Sequence, residues 1–193
     1  MTNDERTNRL RGITRDIVAS YGAIGGINRI GEKNLPSQQV IIDIVEQLLA
    51  VMFPGYHGAP VTKDADLELL VGSRLDTLSR ELGGIIERTL VYCRRREGQC
   101  DRIWALTGPL EGEDRFAAAG RQVALAYLEQ LADIRRLLDK DVQAAYEGDP
   151  AAHSPDETIL CYPGIMAITN HRLAHELYRL EVPLLPRIIS EHA

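Results

Sequence analysis

The feature that most restricts what this chain can fold into is the spacing of its apolar residues. They step by three and four along most of the length, and nowhere alternate at a strand's period of two over a useful stretch. Leu10, Ile13, Ile17 and Tyr21 form the first seam, ended by the glycine-rich stretch from Gly22 to Gly26. Leu35-Pro36-Ser37 then offers Ser37 as an N-cap, and Val40, Ile41, Ile44, Val45, Leu48 and Met52 follow on one broad face. Phe53-Pro54-Gly55-Tyr56 stops that helix, since Pro54 lacks an N–H and Gly55 tolerates a left-handed turn. A longer seam runs through Leu67, Leu70, Val71, Leu75, Leu78, Leu82, Ile85 and Ile86, with Gly83 and Gly84 inside it. Each interior glycine costs about 1 kcal/mol relative to alanine, so the pair predicts a bend or a close helix crossing.

From Arg94 to Gly112 the pattern is broken by Gly98, Gly108 and Pro109, and reads as a connection with at most one short helix. It resumes through Phe116, Val123, Tyr127, Leu131, Ile134, Leu138, Val142 and Ala145, as one long helix or two joined near Ala132, closing at Gly148. Shorter helices are expected from about Pro155 to Cys161 and from Gly164 to Tyr178, before a proline-punctuated apolar end. The expected class is therefore an all-α, multi-helix domain covering 1–193, with a possible subdivision into 1–112 and 113–193. A coiled-coil rod fits less well because the seams are repeatedly interrupted.

Composition removes several function classes. Hydrophobic residues make up 45% and charged residues 26%, which suits a globular core rather than disorder. The formal charge is −6, so a nucleic-acid partner, which needs a basic surface, is not expected. Arg94-Arg95-Arg96 reads as a solvated helix end, where cations suit the dipole. Cys93, Cys100 and Cys161 form no CxxC pair, and with no secretory segment at the N-terminus the expectation is a cytoplasmic protein. The most apolar stretch, Val40 to Phe53, carries Asp43 and Glu46 and falls short of the roughly 18 residues a membrane span needs, so no membrane partner is expected.

A few residues invite chemical readings. Asp149-Pro150 is a common turn or helix-start pair, its carboxylate able to cap the next helix. His171 and His175 share a helix face, but two ligands are too few for zinc and the internal Glu of a metalloprotease helix is missing. They read as core or interface histidines, with no metal site, and Arg172 reads as tied to a carboxylate or carbonyl inside the domain. Trp104 reads as a packing anchor. Leu184, Leu185, Ile188 and Ile189 form an apolar face that asks for cover by a following domain or a neighbouring subunit.

Four motifs in order carry a family likeness: Glu147-Gly148-Asp149-Pro150-Ala151-Ala152, Tyr162-Pro163-Gly164-Ile165, His171-Arg172-Leu173-Ala174-His175-Glu176-Leu177, and Val182-Pro183-Leu184-Leu185-Pro186-Arg187-Ile188-Ile189-Ser190-Glu191-His192-Ala193. Their succession resembles the end of the helical domain of bacterial-type serine O-acetyltransferases, with Leu35-Pro36-Ser37 and Phe53-Pro54-Gly55-Tyr56 as upstream marks. The resemblance implies transfer of the acetyl group of acetyl-CoA to L-serine, giving O-acetylserine for cysteine synthesis. It also implies homo-oligomers (trimers or dimers of trimers) built through the helices, and, for the complete enzyme, O-acetylserine sulfhydrylase as a possible partner. The family's left-handed β-helix, with its His–Asp general base and coenzyme A groove, has no counterpart among these residues. No catalytic residue and no bound cofactor are therefore expected here, and the chain alone is expected to be inactive. His192 is not expected to act as base, because the family places its base further on. By resemblance Asp149 faces the amino group of bound serine, where a carboxylate pairs well with an ammonium. The alternative is a non-enzymatic helical assembly or regulatory module.

Overall fold

The computed structural model describes residues 1–62, 66–94 and 115–192, and among them every regular element is a helix. They are α1 (Asn3–Ala23), α2 (Gln38–Met52), α3 (Leu67–Cys93), α4 (Arg115–Leu128), α5 (Leu131–Gly148), α6 (Pro155–Cys161), α7 (Pro163–Arg179) and α8 (Leu185–Ser190). The all-α expectation holds. The long seam after Glu113 is two helices meeting at Glu129 and Gln130, within a few residues of Ala132. Trp104, Cys100 and the expected division at 112 and 113 lie outside the described residues. No helix among the described residues is long and apolar enough to cross a membrane.

The chain divides into two compact units, Met1–Leu35 and Pro36–Ala193. The first holds α1, closed at its start by a capping box. Thr2 Oγ1 accepts from the Glu5 N–H at 3.2 Å, and the Glu5 carboxylate accepts from the Thr2 N–H at 2.8 Å. No residue of α1 is buried, and Leu10, Ile13, Ile17 and Tyr21 remain 47–50% exposed.

The second unit is built around one contiguous apolar core fed by α2 to α8. Ser37 begins α2, as its position before the apolar run suggests, but its hydroxyl makes no capping bond. The other end of α2 has no basic residue of its own; Arg74 donates to the Ala50 carbonyl at 2.9 Å and Arg135 donates to the Met52 carbonyl. Cations from α3 and α5 thus satisfy carbonyls that the last helical turn leaves without intrahelical donors. Gly55, at φ +88°, makes the turn that follows.

The most extensive packing is between α3 and α4, and Gly83, the first of the two glycines read from the sequence, lies at their crossing. Gly83 faces Gly120, and a Cβ on Gly120 would lie 2.4 Å from the Gly83 carbonyl oxygen. The helices cross with backbone against backbone. Of the seam on α3, Leu78, Leu82, Ile85 and Ile86 are buried, while Leu67 and Val71 stay exposed. The remaining layer is α5 against α6 and α7, with α8 folded back on α7 and α2. That return settles the apolar C-terminal face: Leu185 and Ile189 are each 1% exposed and Ile188 is half-buried, covered from within the chain, and only Leu184 is left at 39%.

Tyr127 on α4 is fully buried, and among the described residues its hydroxyl has no hydrogen-bond partner. Burial, with the nearby Glu176 carboxylate, pushes its phenol strongly toward the protonated form. An unpaired buried hydroxyl costs about 1–3 kcal/mol, so Tyr127→Phe is expected to stabilise the fold by about 1 kcal/mol in urea unfolding. A loss of stability would show that the hydroxyl has a partner after all.

Candidate functional site

The site grows from the way α5 ends. Pro150 disfavours helical backbone at the residue before it, and Asp149 accordingly takes an extended conformation as the C-cap of α5, at φ −115° and ψ 104°. The chain then turns on Asp149 alone: its carbonyl accepts from the Ala152 N–H at 3.0 Å and its Oδ1 from the Ala151 N–H at 2.9 Å. This is an Asx turn, the side chain standing in for a backbone acceptor. Capping of the next helix falls instead to Ser154, whose Oγ accepts from the Glu157 N–H at 3.1 Å, with Pro155 following as the first helical residue. The reading of Asp149 as a cap for α6 is corrected by that geometry.

The second carboxylate oxygen is claimed from thirteen residues away. Tyr162 closes α6 and opens α7, and its phenol donates to Asp149 Oδ2 at 2.6 Å. The Glu157 carboxylate accepts from the His153 N–H at 2.8 Å, with His153 Nδ1 3.3 Å away. The two donors from Tyr162 and Ala151 hold the Asp149 carboxyl below the usual carboxylate range. The same bond, helped by burial and by the charges of Asp149 and Glu157, pushes the Tyr162 phenol up to about 12.

A carboxylate offers about four acceptor positions; two are used here, one on each oxygen. Asp149 is half-buried, and among the described residues it has no ion-pair partner. What remains is an ionised, oriented carboxylate with acceptor capacity on both oxygens. Such an arrangement is suited to a small cation bearing several N–H donors.

The other residues singled out from the sequence fall elsewhere. Arg172 meets the Asp141 carboxylate with two bonds, Nε at 2.5 Å and a terminal nitrogen at 2.7 Å, tying α7 to α5 as expected of an internal ion pair. His171 and His175 are exposed rather than in the core, their rings 6.0 Å apart and nearly parallel. His175 lies 6.5 Å from the Tyr178 ring, and the three line a shallow groove with Arg179 and Arg187. No group of three or more metal-ligating side chains is found among the described residues. His192 is exposed and engages the Ile189 carbonyl through its backbone N–H at 3.2 Å.

Tyr162, Glu157 and Asp141 were not singled out from the sequence as site residues. For Tyr162 a signal existed: a tyrosine between two short helices, fixed by the following Pro163 and one helix away from Asp149. Asp141 carried none, being one of several acids on the polar face of α5.

Fold and site together define a helical domain with an oriented carboxylate at the end of α5. Comparison with known proteins finds serine acetyltransferases. The chain is 39% identical over 157 residues to the plasmid serine acetyltransferase of Synechococcus elongatus, which is 81% of this chain and 46% of that protein. Shorter stretches match the serine acetyltransferases of Bacillus subtilis, 45% identical over 56 residues (29% of this chain and 26% of that one), and of Mycobacterium tuberculosis, 49% identical over 51 residues (26% and 22%). No family model matches. Over most of its length the chain is homologous to serine acetyltransferases, and it spans about half the length, or less, of the relatives it matches.

Proposed function

We propose that this chain is the helical part of a serine O-acetyltransferase, and that Asp149 receives the ammonium group of L-serine. In the reaction the serine hydroxyl oxygen attacks the thioester carbonyl of acetyl-CoA. A C–O bond forms, the C–S bond breaks, and the sulfur leaves to become the free thiol once it takes up a proton. The alcohol is a weak nucleophile and needs a base to accept its proton. We assign that base, and the contacts to coenzyme A, to the part of the relatives' length that this chain does not span. The helical part holds the amino end of the substrate and assembles copies of the protein as trimers or dimers of trimers. The exposed seam of Leu10, Ile13, Ile17 and Tyr21 on α1 supports an assembling role. The setting is cytoplasmic, and O-acetylserine sulfhydrylase is a partner of the complete enzyme.

The observation that carries this reading is the Asp149 carboxylate, ionised and oriented by Tyr162 and Ala151 and with no ion-pair partner among the described residues. It is tested by thiol release from acetyl-CoA with and without L-serine, comparing the protein as its gene encodes it with the 193-residue chain. Serine-dependent release is expected from the former and none above background from the latter. Release by the 193-residue chain would mean that the whole site lies within it. No release from either would favour the helical assembly module over the enzyme.

A further inference from the structure

We propose that Tyr162 is a positioning residue for amine recognition: its phenol, donating to Asp149 Oδ2 at 2.6 Å, sets the carboxylate plane that meets the substrate ammonium. This rests on the reading of Asp149 as the ammonium acceptor. The Ala151 N–H fixes only Oδ1, and a carboxylate held at one oxygen can still swing about that contact. A second donor on the other oxygen removes this freedom and presents the remaining acceptor positions in one direction.

Tyr162 is well placed to act as such a donor because it is itself held. Its backbone N–H donates to the Thr158 carbonyl at 3.3 Å, and its carbonyl accepts from the Ile165 N–H at 3.0 Å. Pro163 keeps it extended, at φ −90° and ψ 111°, and its ring packs against the core. The phenol thus reaches Asp149 from a rigid helix junction. Its neutrality matters equally. A lysine or arginine in this place would also orient the carboxylate, but would neutralise the charge that the ammonium needs and compete with it. A phenol orients without neutralising.

The experiment is a double-mutant cycle of Tyr162→Phe and Asp149→Asn in the protein as its gene encodes it. It reads KM for L-serine, KM for acetyl-CoA, kcat and the thermal midpoint. Tyr162→Phe keeps the ring and its packing while removing the donor. It is expected to raise the serine KM about three- to tenfold, leaving kcat and the acetyl-CoA KM unchanged. Added to Asp149→Asn, it is expected to cause no further rise, because the phenol acts through a charge already removed. A merely structural tie would lower the thermal midpoint without moving the serine KM selectively. An unchanged serine KM in Tyr162→Phe beside a raised one in Asp149→Asn would overturn the role of Tyr162 and leave that of Asp149 standing. Additive losses in the double variant would overturn it too. An unchanged serine KM in Asp149→Asn, or no serine-dependent release by the wild-type protein, would remove both assignments.

Discussion

Replacing Gly120 by alanine is expected to lower the stability of the fold by about 2–3 kcal/mol, a large effect for one methyl group. The added Cβ would sit 2.4 Å from the Gly83 carbonyl oxygen and 3.2 Å from the Glu87 backbone nitrogen. Both obstacles are main-chain atoms of α3, which cannot move aside as a side-chain tip can. Either the helices separate along their most extensive contact, or one of them bends. Alanine's intrinsic advantage over glycine inside a helix, about 1 kcal/mol, offsets part of this but not all of it. For a chain of this size the net loss corresponds to a midpoint lower by roughly 5–10 °C. Gly83→Ala is the matched control. Its Cβ would meet the Gly120 and Arg121 backbone at 3.6 Å, an ordinary contact, so it is expected to be neutral or to stabilise by up to about 1 kcal/mol. Urea unfolding of the two variants checks the asymmetry, and equal behaviour would show that the crossing is looser than described.

The second large effect is expected from Asp149→Asn on the use of serine. Asparagine is nearly isosteric and keeps an acceptor for the Ala151 N–H, so the turn survives while the charge is lost. Hydrogen bonds to charged groups contribute about 1.5–3 kcal/mol, which predicts a serine KM raised roughly 10- to 150-fold, with the acetyl-CoA KM unmoved. The pH behaviour follows from the direction of the shift. Because the carboxyl is held below its ordinary value of 3.8, it stays ionised in neutral and mildly acidic solution and adds no acid limb to the serine KM there. The same sign governs stability. A group whose folded-state pKa is depressed stabilises the fold above its unfolded-state value, and that contribution disappears as pH falls through the folded-state value. Asp149→Asn lacks that acid-dependent part. A serine KM within twofold of the wild type would argue against any role for the charge.

The helices were legible because their signals are local and redundant. Apolar residues at three and four, Leu35-Pro36-Ser37 at a helix start, Pro54-Gly55 at a helix end and the break near Ala132 each state their structure within a few residues. Gly83 was legible as a close crossing, but its partner Gly120 was not. A single glycine among Ala117, Ala118 and Ala119 reads as ordinary small-residue helix until α3 is placed against it. The same limit applies to α8. Leu185 and Ile189 announce an apolar face, yet only the left-handed backbone of Glu181 and Leu184 folds that face back onto α7 and α2, and neither residue type suggests such a conformation. At the site, Asp149 stood out through the motif around it. That Tyr162 grips its second oxygen depends on α6 being short enough to bring the α6–α7 junction back to the end of α5, which is a tertiary fact.

The account turns on Asp149 reading the amino group of its ligand, and competition by a serine analogue tests that most directly. Glycerate, with a hydroxyl in place of the amine, is compared with L-serine for inhibition or turnover by the protein as its gene encodes it and by its Asp149→Asn variant. The wild type is expected to favour serine strongly and the variant to lose most of that preference, chiefly through weaker serine binding. If the variant discriminates between the two as well as the wild type does, the amine is recognised elsewhere and the assignment of Asp149 is wrong.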